Sequence, residues 1–84
     1  MMPDPNSLTS GTLAAPTDAD LLYAAAVRML AADRLAELTD HPTSRVKCIG
    51  LAARYGMTRE DVVAVITCSR HQARRALITG QVPR

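Results

Sequence analysis

Residues 58–80 read TREDVVAVITCSRHQARRALITG, and this stretch decides the fold. It resolves into two short helices joined by a tight turn. Thr58 is a good N-cap, and Glu60 and Asp61 follow in the first turn, where free amides and the helix dipole favour acids. Val62, Val65 and Ile66 recur at three and four residues and give the first helix an inward face. Thr67-Cys68-Ser69 interrupts it, and Ser69 is placed to cap the second. There Ala73, Ala76 and Leu77 share one face. His71, Arg74 and Arg75 gather opposite, with Arg70 and Gln72 near the start. A small inner face and a cationic outer face suit a helix that lies against its own domain and reaches into a groove of DNA.

The charge distribution points the same way. The net charge of +2 conceals an asymmetry. Residues 1–43 hold two Arg against five Asp and one Glu, a balance of −4. Residues 44–84 hold seven Arg and one Lys against Glu60 and Asp61, a balance of +6. A basic half is what a polyanion-binding surface requires, although solvated helices also carry Arg.

Upstream, residues 1–16 (MMPDPNSLTSGTLAAP) lack apolar periodicity and are expected to form a flexible tail. No signal-peptide pattern is present. Thr17 or Asp18 then caps a long helix from Asp18 to Leu38. Its interior, LLYAAAVRMLAADRLAEL, holds no Gly or Pro. Its large apolar groups spread around the wheel, and Asp33, Arg34 and Glu37 mark the one clear wet strip. A helix apolar on most sides needs more than one neighbour. Leu22, Met29, Leu30 and Leu35 are therefore expected to meet a second copy of the chain. Pro42 bars continuation past His41. Thr43 or Ser44 caps a third segment, Arg45 to Tyr55, with Val46, Ile49 and Ala53 inward. Gly50 is read as a point of close approach and Gly56 as the C-cap.

On these residues the form VVAVI-TCS-RHQARRAL resembles a helix-turn-helix DNA-binding unit, over roughly residues 44–79. It departs from that family at Thr67, where Gly is usual, and at Val63, where a small residue is usual. The overlapping stretch LAARYGMTREDVVAVI resembles the same family in another register, with Ala52 and Gly56 at its spacing. Its second helix would expose Glu60 and bare aliphatic groups, which are poor partners for phosphates. Both registers fit one three-helix unit: Ser44–Tyr55, Thr58–Thr67 and Ser69–Thr79. The resemblance implies double-stranded DNA as partner, with Ser69, Arg70, His71, Gln72, Arg74 and Arg75 at the interface. A second resemblance, of GMTREDVVAVITCSRHQARRALITG to ubiquitin-associated three-helix modules, implies a protein partner met through Gly56-Met57 and the last helix. Ile78, exposed among the arginines, would belong to that surface.

Other chemistries find little support. Cys48 and Cys68 do not make a secreted disulfide framework, and a reduced cytoplasmic setting fits better. His41, Cys48, Cys68 and His71 match no zinc spacing known to us, so no metal and no cofactor are expected. No convergent acid, base or nucleophile suggests an enzyme. Two Tyr, with no Phe or Trp, leave no stacking platform for single strands. Arg28, Asp33, Arg34 and Glu37 interrupt any membrane span. The expectation is an all-α chain: a long helix (17–39), a compact helix-turn-helix-like unit (44–80) and a short tail (81–84). It would act as a small dimeric transcriptional regulator.

Overall fold

The computed structural model describes residues 15–84; the expected tail falls largely outside them. The fold is all-α. Helix α1 (Asp18–Leu38) is followed by α2 (Arg45–Arg54), α3 (Arg59–Ile66) and α4 (Arg70–Thr79). All three short helices pack on α1, which shares its largest interface with α4. The short helices meet one another far less.

Local chemistry sets each boundary. Thr17 and Asp20 form a reciprocal capping box, with Thr17 Oγ1 accepting from the Asp20 amide and Asp20 accepting from the Thr17 amide. The α1 terminus owes its shape to Asp40 rather than to Pro42 alone. Asp40 takes a left-handed conformation (φ 63°), and the amides of Asp40 and His41 donate to the carbonyls of Glu37 and Ala36. That is a Schellman closure, with Asp where Gly is commoner. The same closure ends α2: Gly56 (φ 96°) and Met57 donate to Ala53 and Ala52. Thr58 Oγ1 caps α3 by accepting from the Asp61 amide.

The core is made of small groups. Ala26, Val27, Leu30 and Ala31 of α1 meet Cys48, Ala52, Met57, Val62, Val65 and Ala76. With no Phe or Trp to fill space, Ala-lined faces bring the helices together closely.

A charged network sets the rotation of α2. The Asp33 carboxylate is buried on α1. It accepts from the Ser44 amide at 2.8 Å and from Arg45 Nε at 2.8 Å. Arg45 also reaches Glu37 Oε1 at 2.6 Å, where Arg34 binds at 2.7 Å. Arg34 Nε continues to the Cys68 carbonyl at 2.8 Å, so one cluster on α1 holds both the start of α2 and the α3–α4 turn. Of the strip expected to be wet, Asp33 is therefore buried and Arg34 half-buried at a joint, while Glu37 stays exposed at its rim.

This joint overturns the expected face of α2. With Arg45 drawn to α1, Cys48 and Ala52 turn inward and Ile49 is half-buried. Val46 is 85% exposed, and Ala53 is exposed. Gly50 faces open space, so it mediates no close approach. On α4, Ala73 and Ala76 are buried but Leu77 is exposed. Residues 81–84 are no free tail: Val82 packs on the core and Arg84 pairs with Asp61 at 3.3 Å. Among the self-association candidates, Leu30 is fully buried in the chain's own core, beyond reach of a second copy. Met29 and Leu35 are half-buried, and Leu22 remains on the surface.

Replacing Asp33 with Ala strands the Ser44 amide and the Arg45 guanidinium, and is expected to cost about 3 kcal/mol in chemical denaturation. Glu37→Ala, at an exposed position, is expected to cost much less. Hydrogen bonds from Arg45 and then Arg34 hold the Glu37 carboxyl below its ordinary 4.5. Its contribution is present above the ordinary carboxylate range and is lost as pH falls through the lowered value.

Candidate nucleic-acid interface

Helix α4 begins at a capping box. Ser69 Oγ accepts from the Gln72 amide at 3.1 Å, and Gln72 Oε1 accepts from the Ser69 amide at 3.0 Å. The preceding turn needs no positive φ. Thr67 sits at φ −116° and donates its hydroxyl to the Val63 carbonyl, so a residue other than Gly fits there without strain.

The α4 face against α1 consists of Ala73, Ala76 and Gly80, all buried. Gly80 closes the helix in a left-handed conformation (φ 71°). A Cβ there would come within 2.9 Å of Ala24 Cβ and 3.0 Å of Arg28 Cζ. Only glycine suits both the backbone and the space. Helical geometry then turns Arg74, Ile78, His71 and Arg75 outward, and all four are exposed.

The sequence-predicted residues thus share one short helix but differ in what they can still offer. Ser69 and the Gln72 carbonyl are spent on the cap. Arg70 leans toward the Leu38 carbonyl at 3.4 Å, closing the end of α1. Neither Arg74 nor Arg75 takes part in an ion pair among the described residues. Ile78, 76% exposed, stands between the two arginines.

Sequence reasoning missed the flank of this helix. An open cleft of about 1070 Å³ lies between the first half of α1, α4 and the C-terminal segment. Arg28, His71, Arg75 and Arg84 line it, with Asp20 and Tyr23. Tyr23 donates its hydroxyl to Asp61, which also holds Arg84. Val82, apolar and just past a helix-ending glycine, was the readable sign that the chain folds back here.

A second, apolar hollow of about 350 Å³ lies between α2 and α3, lined by Ile49, Ala53, Met57, Val62, Val63 and Ile66 with Arg59. Met57 is mostly buried, and Ile78 does not line this hollow, so the two residues of the protein-binding reading are not brought into one pocket. Among the described residues no three His, Cys, Asp or Glu groups are placed to hold a metal ion, so His41, Cys48, Cys68 and His71 do not converge. Burial pushes the Cys68 thiol up, with Arg34 opposing, which leaves it a poor nucleophile. None of the described helices is long and apolar enough to cross a membrane.

Comparison with family models gives no match, and comparisons with curated proteins and with solved structures give none either.

The clasp at Tyr23 has a measurable consequence. Burial, then the hydrogen bond to Asp61 and that group's charge, push the phenol from 10.0 up to about 12, with Arg84 opposing. The folded value is raised, so this contribution is full below the ordinary tyrosine value and is lost as pH rises toward 12. A tyrosinate absorbance titration is expected to show a late step that Tyr23→Phe removes. The stability gap between the two proteins should be constant at neutral pH and shrink in strong alkali.

Proposed function

We propose that the chain is a double-stranded-DNA-binding regulator in which α4 is the reading helix. One observation carries this. A helix seated on its domain by Ala73, Ala76 and Gly80 presents Arg74, Arg75 and His71 outward, and neither Arg74 nor Arg75 has an ion-pair partner among the described residues. Small residues beneath a helix set its axis deep, so long side chains above it project freely. Phosphate contacts from Arg75 or His71 would set register, and Arg74 would meet base edges.

A lone module of this size buries little surface, so tight binding calls for two copies on half-sites about 34 Å apart or a multiple of that. The chain retains a strip for a second copy. Leu22, Ala25, Met29 and Ala32 follow one another along α1 at spacings of three and four, with all but Met29 exposed. Leu22→Glu should leave the core untouched and shift sedimentation toward the monomer. A wild type that sediments as a monomer at tens of micromolar, by order of magnitude, would remove the strip from consideration.

The main test is an Arg74→Ala, Arg75→Ala double variant titrated with duplex DNA at several salt concentrations. Folding should change little, since exposed substitutions usually fall within about 0.5 kcal/mol. A phosphate contact lowers the salt slope by about one, whereas a base contact costs about 1–3 kcal/mol at one position of the site. Wild-type affinity in the folded double variant removes α4 from the interface. A wild type that binds no duplex at low salt favours a protein-interaction module instead, whose specific support is the apolar hollow between α2 and α3.

A further inference from the structure

The cleft beside α4 gathers guanidinium groups and hydrogen-bond donors from two helices that are far apart in the chain. Arg28 comes from α1, and His71 and Arg75 from α4. No ion pair among the described residues involves Arg28 or Arg75. Asp20, the acid on this wall, turns its carboxylate back onto the Thr17 amide at 3.0 Å, and Arg84 is taken by Asp61.

Arg28 is also held in place. Its Nη2 leans on the Ile78 carbonyl at 3.4 Å, and its guanidinium occupies the space that a side chain at residue 80 would fill. A helix-closing glycine that makes room for a guanidinium keeps that cation at the α1–α4 seam, beside the row of cations on α4. Arg28 and Arg75 reach the same cleft from α1 and α4, and like charges lining one cleft favour an anion there. A phosphate oxygen accepts charge-assisted hydrogen bonds from both.

We propose that this cleft is a phosphate-binding site in which Arg28, with Arg75 and His71, holds a phosphodiester of the duplex that α4 reads. The proposal rests on the DNA-binding reading and extends the contact surface from α4 onto the scaffold helix. The bound backbone would run from α4 across the seam toward the first half of α1.

The test compares wild type, Arg28→Gln and Arg75→Gln. Glutamine at residue 28 keeps an N–H donor for the Ile78 carbonyl while removing the charge. Binding to a random-sequence duplex is measured against salt, and the Arg Nε–Hε resonances are followed during titration with inorganic phosphate. With duplex-binding wild type, each substitution is expected to lower the salt slope by about one. A folded Arg28→Gln protein with the wild-type slope overturns the proposal, leaving Arg28 as a closure for α4 and the DNA reading intact. If Arg28→Gln does not fold, the Arg28 resonance of the wild type decides: a saturable shift on adding duplex supports the site, and no shift overturns it. If the wild type binds no duplex but phosphate shifts Arg28 and Arg75 saturably, the site stands for a free phosphate ligand while the DNA reading falls. Neither response sinks both.

Discussion

A chain with two Tyr and no larger aromatic must build its interior from aliphatic groups, and this sets how its helices meet. Small side chains yield enough dispersion contact only when backbones approach closely. Ala26 and Ala31 on α1, Ala52 on α2, and Ala73 and Ala76 on α4 serve that need. The three short helices touch one another too little to make a core of their own. Each depends on α1, which is therefore the scaffold rather than an appendage.

Close packing alone does not fix how a smooth helix is rotated. Here polar groups do so. Asp33 binds a backbone amide and a guanidinium at the start of α2, and Arg34 binds the carbonyl of the α3–α4 turn. These contacts are directional, and a register error of one residue would break them. A buried carboxylate contributes less net energy than its contacts suggest, because desolvation offsets much of the attraction. Its effect lies in orientation. The pose of α4, and so the direction in which Arg74 and Arg75 point, follows from its bed on α1 and from the turn that Arg34 anchors.

Much of this was legible in the sequence wherever the signal was local. Thr17, Thr58 and Ser69 cap the helices they precede, and Gly56 and Gly80 close helices in left-handed conformations. The outward arc of α4 could be read from the spacing of Ala73 and Ala76. What failed was long-range. The inner face of α2 depends on Asp33, which reads as solvent-facing among Arg34 and Glu37. With all the larger aliphatic groups of α2 competing, periodicity chose Val46, and the ion pair chose Cys48 and Ala52. Leu30 appeared available to a second copy because nothing local says that three helices close over it. The cleft was invisible for the same reason: Arg28 reads as a break in an apolar helix, and only tertiary packing brings it to the same cleft as Arg75.

The interface between α1 and α4 is the largest in the fold, and it joins the first helix to the last. Loop closure must therefore bring together segments separated by nearly the whole domain before the largest single interface is gained. During synthesis, α1, α2 and α3 would leave the ribosome with the Ala24–Arg28 stretch of α1 still lacking the cover that Gly80 provides. That seam closes only when Gly80 has emerged and the chain can turn back along α1. The domain is thus expected to acquire its structure late and all at once, with its basic helix as the closing piece.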